Sequence, residues 1–423
     1  MKSHKHIPKP RTMTNKQVVL KVVHRLRRAG YQALLAGGCV RDMLLGNIPH
    51  DYDVATDAKP QTITKIFPRT LTVGAQFGVV VVLWGGKQIE VATFRSDSSY
   101  EDGRRPSDVV FTDARHDALR RDFTINGMFY DPITAEVIDY VGGRKDLQNR
   151  IIRAIGNPQQ RFAEDHLRML RAIRFASRLD FNIEKRTWKA ILRHTDKIQR
   201  ISSERIADEL ERIMIDPRRA VGIQMVFDSG LYKKIFPILG RQQQLLGIKV
   251  LRELPKRCSF PLALAGLMSG GTVKQAESLC HKLKLSNKLR RQVCWLVDGC
   301  PRLLQSIPLS RGLLKKWLAE PLFEPLVILC RSYLRAAGKG PQQLYQLRRQ
   351  IRQLGDEPIS PPRLLDGHEL IRLGAAPGPM VGQLVQELYL AQLENEIKTK
   401  SDAVVWVKNW LIRHEGKNNA MSQ

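Results

Sequence analysis

Two aspartates, Asp51 and Asp53, follow a glycine pair, Gly37-Gly38, and Arg41 within the stretch LLAGGCVRDMLLGNIPHDYDVAT. Residues two apart on a strand point to the same face about 7 Å apart along the chain, so both carboxylates can converge on metal ions spaced about 3.5 to 4 Å. Oxygen-only ligands of this kind suit Mg2+. The glycine pair lets the backbone approach a bulky anion, and the helical spacing of Cys39 to Leu45, closed by Gly46, turns a helix start toward it. Such a turn can hold a triphosphate, with Arg41 as a second anion partner. Glu90, in IEVATFR, is a candidate third carboxylate of the metal site, or an edge-strand glutamate; Arg95 can contact phosphate or pair with a local acid.

Two further motifs offer groups that handle the rest of a nucleotide. In RRDFTIN, Arg120 and Arg121 bring positive charge, Asp122 can take a ribose hydroxyl, and Asn126 a sugar or phosphate contact, while Phe123 and Ile125 read as core residues. The run EDHLRMLRAIRFASRL predicts a helix from Glu164. At 100° per residue, Glu164, Arg168, Arg171, Arg174 and Arg178 fall in one arc of about 120°, opposite Met169, Leu170, Ile173 and Ala176. Asp165 precedes Arg168 by three positions, which makes the two neighbours on the helix surface. A carboxylate accepts from an exocyclic amine and a guanidinium donates to a ring nitrogen, so an Asp165–Arg168 pair could accept cytosine and adenine and reject uracil and guanine.

The elements that must carry these residues are legible in outline. Gln17 to Arg28 is an amphipathic helix, Pro60 opens another that stops by Pro68, and Val79–Trp84 with Gln88–Phe94 reads as a hairpin turned at Gly85-Gly86. Paired with strands near residues 33 and 52, they make a small mixed sheet with helices beside it. SDSSYEDGRRP, residues 96 to 106, has the composition of a flexible loop, Val109–Phe111 and Val137–Tyr140 are short strands, and beyond about residue 161 the pattern is helical almost throughout. The chain is therefore expected to be α+β. Its expected divisions are a basic, disordered tail over 1–13, a sheet domain over 14–150, and helical segments over 151–220, 221–355 and 356–423, the last set off by GDEPISPPR.

With 69 Lys and Arg against 41 Asp and Glu, a net charge of +28 makes a polyanion the expected partner. No apolar run reaches the about 18 residues of a membrane span, no signal-peptide core is evident, and a cytoplasmic protein without a membrane partner is expected. The six cysteines have no paired metal-ligand spacing and are expected to be reduced and buried.

In this order, Gly37-Gly38-x-Val-Arg41-Asp42, Asp51-x-Asp53, Glu90 to Arg95, Arg120 to Asn126, Tyr140-Val-Gly-Gly143 and Glu164-Asp-x-x-Arg168 resemble the bacterial class II tRNA nucleotidyltransferase and poly(A) polymerase family of the DNA polymerase beta superfamily, over roughly residues 20 to 220. Ser203 to Leu210 looks like the family's neck helix. The resemblance implies a nucleotidyltransferase head followed by helical neck, body and tail, with the acceptor arm of tRNA lying across the helical parts. It assigns Asp51 and Asp53 to magnesium, Gly37, Gly38 and Arg41 to the triphosphate, Arg120, Asp122 and Asn126 to the sugar and phosphates, and Asp165 and Arg168 to the base, with Arg171 beside them. The implied reaction is template-independent addition of CCA, from CTP and ATP, to tRNA 3' ends. Addition of A alone and poly(A) synthesis are the alternatives within the family, and a non-catalytic RNA-binding protein the alternative outside it.

Overall fold

In the computed structural model, which describes residues 13–72, 74–97 and 109–420, the apolar run of strand β1 (Ala33–Ala36) is buried along its whole length. A strand with no polar side needs cover on both faces, so it belongs in the middle of a sheet. Here that sheet runs β3 (Thr70–Leu71), β4 (Val79–Trp84), β5 (Lys87–Thr93), β2 (Asp53–Thr56), β1, β8 (Met128–Asp131) and β9 (Glu136–Asp139) in spatial order. Beside β1 lies β2 (Asp53–Thr56), antiparallel to it and parallel to β5 (Lys87–Thr93). β3 (Thr70–Leu71) and β4 (Val79–Trp84) continue one edge; β4 and β5 form the expected hairpin. A small separate ladder joins β6 (Arg95–Asp97) to β7 (Val109–Phe111), and β8 (Met128–Asp131) with β9 (Glu136–Asp139) completes the other edge.

Helix α1 (Asn15–Arg28) starts at a Thr14/Gln17 capping box and buries Val18, Val19, Val22, Val23 and Leu26. Between the strands come α2 (Gly38–Leu44), α3 (Pro60–Ile66), α4 (Ala114–Arg120) and α5 (Gly143–Gln148). Phe123 and Ile125, at the centre of RRDFTIN, are fully buried as expected. Most of the SDSSYEDGRRP loop and most of the basic N-terminal tail lie outside the described residues.

The helical stretch that follows corrects one expectation. No continuous helix begins at Glu164: α6 (Pro158–Glu164) ends there, Asp165 is extended at φ −147° and ψ 104°, and α7 (Arg168–Leu179) starts afresh. The Asp165 Oδ1 accepts the Leu167 N–H at 3.0 Å, a local bond that competes with helix continuation. A two-residue parallel ladder, β10 (Ile151–Ile152) with β11 (Asn182–Ile183), brackets this region. It continues through α8 (Lys185–His194), α9 (Ser203–Met214), α10 (Arg219–Asp228) and the short α11 (Tyr232–Ile235).

The chain divides into two compact units at Pro237/Ile238, a coarser division than the expected boundaries at 150, 220 and 355. The described part of the second unit is helical, from a helix over Arg241–Glu253 to one over Lys400–Ala420. Leu370, Leu384, Leu388, Val407 and Trp410 form a core for its last helices, after the Pro-rich seam before Leu365. Four cysteines are buried, Cys258 and Cys294 are half-buried, and all six are free thiols.

Candidate active site

Sheet register is what brings the glycine turn to the carboxylates. Ala36, the last residue of β1, lies opposite Asp53, the first of β2, and Asp53 in turn lies opposite Glu90 of β5. Gly37 follows at φ 74° and ψ −131°, a conformation that side-chain-bearing residues rarely adopt, and a Cβ there would stand 3.0 Å from Arg121 Nη1 and 4.0 Å from Asp53 Oδ2. The missing side chain is thus the space between a guanidinium and a carboxylate.

Asp51, Asp53 and Glu90 are all exposed. Crowding by protein atoms, together with the charges of Glu90 and Asp51, outweighs Arg121 and pushes the Asp53 carboxyl up to about 6. That concentration of uncompensated carboxylate suits a divalent cation, and hard oxygen donors suit Mg2+. No group of three or more His, Cys, Asp or Glu among the described residues is placed to hold a metal by itself, so phosphate oxygens and water would complete the coordination of any ion held by Asp51 and Asp53.

From Asp53 a cleft of about 520 Å3 runs between the sheet and α7. Gly37, Gly38, Arg41, Arg120, Asp122, Asn126, Asp165, Arg168 and Arg171 all line it with Asp53, while Asp51 and Glu90 do not. Its other lining residues, Arg121, Arg174, Phe175, Arg178 and Arg212, complete an array of eight arginines.

Most of those arginines are held by acids of the protein. Arg41, buried, spans Asp42 at 2.7 Å and Asn126 Oδ1 at 2.8 Å. Asn126 Nδ2 passes the chain on to Asp122 at 3.1 Å. Asp122 does not present a free carboxylate to a ribose: Oδ1 accepts from Asn126 and the Phe123 N–H, and Oδ2 takes Arg171 at 2.6 and 2.9 Å. Burial alone would raise its pKa, but Arg171 and these hydrogen bonds prevail and hold it down to about 2. Asp122 therefore connects the sheet domain to α7.

Arg120 and Arg121 diverge from a shared anchor, the buried Asp117 of α4, which meets them at 2.7 and 2.9 Å. Burial opposes ionisation of Asp117, yet the two guanidiniums keep its pKa below the ordinary value. Arg120 Nε also donates to the Arg95 carbonyl; Arg121 is the one that reaches Asp53 and Gly37. Arg95 itself donates to the Phe77 carbonyl.

Asp165 and Arg168 meet through their backbones, the Arg168 N–H donating to the Asp165 carbonyl at 3.1 Å, while their side chains are engaged by other groups. Arg205 of α9 holds the Asp165 Oδ2 at 2.8 Å, and Arg168 is tied to Glu164 at 2.5 Å and to the Arg161 carbonyl at 3.0 Å. The break between α6 and α7 falls between the two residues and leaves both on the cleft wall. A further acid, not among the residues expected from the sequence, is Glu209, 3% exposed on α9, which takes Arg174 at 2.6 Å and lies 3.6 Å from Arg171. Nothing local marks it, since its partner is 35 positions away. Asp117 has a local signal, an acid three and four positions before the Arg120-Arg121 pair.

Comparison with known proteins covers most of the chain. Residues 33–153 match the family model described as "Poly A polymerase head domain", residues 180–242 that of the "Probable RNA and SrmB- binding site of polymerase A", and residues 262–407 a tRNA nucleotidyltransferase domain 2 model. The CCA-adding enzyme of Lactobacillus johnsonii is 34% identical over 91% of this chain and 95% of its own length. The chain belongs to the CCA-adding enzyme family. The family member from Enterococcus faecalis is 35% identical over 91% of this chain and 93% of its own. Among solved structures, the Bacillus stearothermophilus CCA-adding enzyme in complex with CTP has a TM-score of 0.70 at 28% identity, covering 96% of this chain and 100% of that one. The Thermotoga maritima CCA-adding enzyme complexed with tRNA_CCA shares the fold, with a TM-score of 0.66 at 20% identity over 95% of this chain and 97% of that one. Like the other CCA-adding enzymes, the chain is a nucleotidyltransferase. No helix among the described residues is long and apolar enough to cross a membrane.

Proposed function

We propose that this chain adds CCA to the 3' end of tRNA, taking CTP and ATP as substrates without a nucleic-acid template. One observation carries the reading: a single cleft holds Asp53 and the glycine turn together with Asp165 and Arg168. Groups suited to phosphoryl transfer and groups suited to telling one base from another thus share one wall. The reading is supported by the names of the relatives and by a family member of known structure in complex with CTP.

Asp51 and Asp53 would hold Mg2+, which when bound lowers the pKa of the RNA 3' hydroxyl and neutralises charge at the reacting phosphate. The Gly37-Gly38 backbone leaves room for the phosphates. Arg41 and Arg121, fixed by Asp42 and Asp117, stabilise the charge that builds there without having to reorient. Asp165 spends one acceptor position on Leu167 and one on Arg205, and a carboxylate has about four, so it can still accept an exocyclic amine. Cytosine and adenine supply that amine beside a ring acceptor; uracil and guanine would leave buried groups unpaired.

The test is incubation with tRNA lacking its 3' end, tRNA ending in C-C, and an unstructured RNA, each with one labelled nucleotide at a time. Three additions to the first and one A to the second are expected. Long A tails on any RNA would assign poly(A) synthesis instead, a single A only on the C-C end would assign A addition, and no incorporation would refute catalysis.

A further inference from the structure

The cleft has a direction along α7. Asp165 and Arg168 stand at its start, Arg171 meets Asp122 one turn on, and Phe175 carries the Arg41 guanidinium 5.3 Å from its ring centre and that of Arg174 at 4.3 Å. Arg178 is ten residues past Arg168, about 15 Å at the helical rise. A nucleotide with its base at Asp165 and Arg168 and its phosphates at Arg41 and the glycine turn therefore lies along the helix, its phosphate tail directed to the helix C-terminus.

At that end the pairing pattern changes. Six of the eight cleft arginines hold a carboxylate within 2.9 Å. Arg178 is exposed and makes no hydrogen bond or ion pair with any described residue. Arg212, also exposed, comes no closer than 3.7 Å to Glu209, an acid already taken by Arg174. The cleft's uncompensated positive charge is thus gathered at one end, on two residues from different helices.

We propose that Arg178 and Arg212 form the subsite for the terminal phosphates of the bound nucleotide and for the pyrophosphate that leaves. The inference rests on the nucleotidyl-transfer reading above. In that reaction the RNA 3' oxygen bonds to the α-phosphorus, the bond from that phosphorus to the bridging oxygen breaks, and its electron pair departs with pyrophosphate while the hydroxyl proton goes to water. The departing group is a compact polyanion, and a guanidinium binds phosphate oxygens in bidentate fashion. An arginine in the last turn of a helix also offsets the helix dipole, a role that affects stability without distinguishing one phosphate ligand from another.

The experiment compares the full chain with Arg178→Gln, Arg212→Gln, the double variant and Arg178→Lys, titrating inorganic pyrophosphate, CTP and CMP by calorimetry in Mg2+ buffer and following each melt. Each single Gln variant is expected to weaken pyrophosphate and CTP about tenfold and leave CMP within about twofold; the double variant weakens the first two further, and Arg178→Lys recovers part of the loss. Pyrophosphate should also inhibit the Gln variants less while the KM for RNA stays unchanged. Unchanged pyrophosphate affinity, equal losses for CMP and CTP, or a rise in the RNA KM alone would overturn the proposal, the last assigning the pair to an RNA phosphodiester. A parent protein that binds pyrophosphate and CTP but extends no RNA would refute the transfer reading and uphold the subsite.

Discussion

Replacing Glu209 by Gln puts the arginine array under direct strain. Glu209 is 3% exposed, takes Arg174 Nε at 2.6 Å, and has Arg171 and Arg212 at 3.6 and 3.7 Å. Glutamine keeps the volume and one acceptor, so no cavity forms. What is lost is the charge that neutralises Arg174, whose own pKa burial already lowers. Removing one member of a buried pair costs about 3–5 kcal/mol, and the retained acceptor places this variant near the lower end. With a urea dependence of about 3 kcal/mol/M for a unit of this size, the midpoint should fall by about 1 M. Combining Glu209→Gln with Arg174→Met should restore most of it, because apolar replacement of a whole buried pair is often neutral or stabilising. The assay is urea denaturation of both variants and the parent at pH 7.5, followed by far-UV circular dichroism. A Glu209→Gln midpoint within about 0.2 M of the parent, or a double variant less stable than the single one, would refute the reasoning.

Two further substitutions probe the catalytic end. Gly37→Ala forces a Cβ toward Arg121 Nη1 at a backbone conformation that costs about 1–3 kcal/mol, so it should lower the melting temperature by about 5 °C and cut nucleotide incorporation at least tenfold; parental kinetics would show that the turn does not carry the phosphates. Asp53→Asn should abolish incorporation yet stabilise the metal-free protein. Its carboxyl, raised from 3.8 to about 6, contributes stability that is complete below pH 3.8 and lost as pH rises through 6. The variant should therefore melt above the parent at pH 7.5, with the gap closing toward pH 4; melts that differ equally at both pH values would remove Asp53 from this balance.

The sequence made the sheet and the glycine turn legible because their signals are local. An all-apolar ALLA run, a glycine turn and an Asp-x-Asp strand start each constrain a few adjacent residues, and the strand pairing follows from burial. The Asp165–Arg168 end of the cleft was legible in composition and differs in geometry from a continuous helix. A 3.6-residue period continues through Glu164, Asp165 and Arg168, so periodicity cannot reveal that Asp165 leaves the helix; its side-chain bond to the Leu167 N–H is the competing signal, and aspartate is a residue that favours such bonds. The partners of the arginines were the least legible. Arg171 with Asp122, Arg174 with Glu209 and Arg205 with Asp165 join positions 49, 35 and 40 apart, and only the tertiary fold sets those pairings.

The six arginines that hold acids have a thermodynamic consequence. A free arginine gives up about 2 kcal/mol of rotamer entropy when it clasps a phosphate, whereas one already fixed by a carboxylate has lost that freedom during folding. The five acids that hold these arginines, Asp42, Asp117, Asp122, Glu164 and Glu209, also cancel most of their positive charge, so this part of the cleft draws polyanions only weakly from a distance and rewards them mainly for fitting. The +28 of the chain is therefore largely an attraction held elsewhere on the surface, available to a long polyanion such as RNA, while the cleft itself selects by shape.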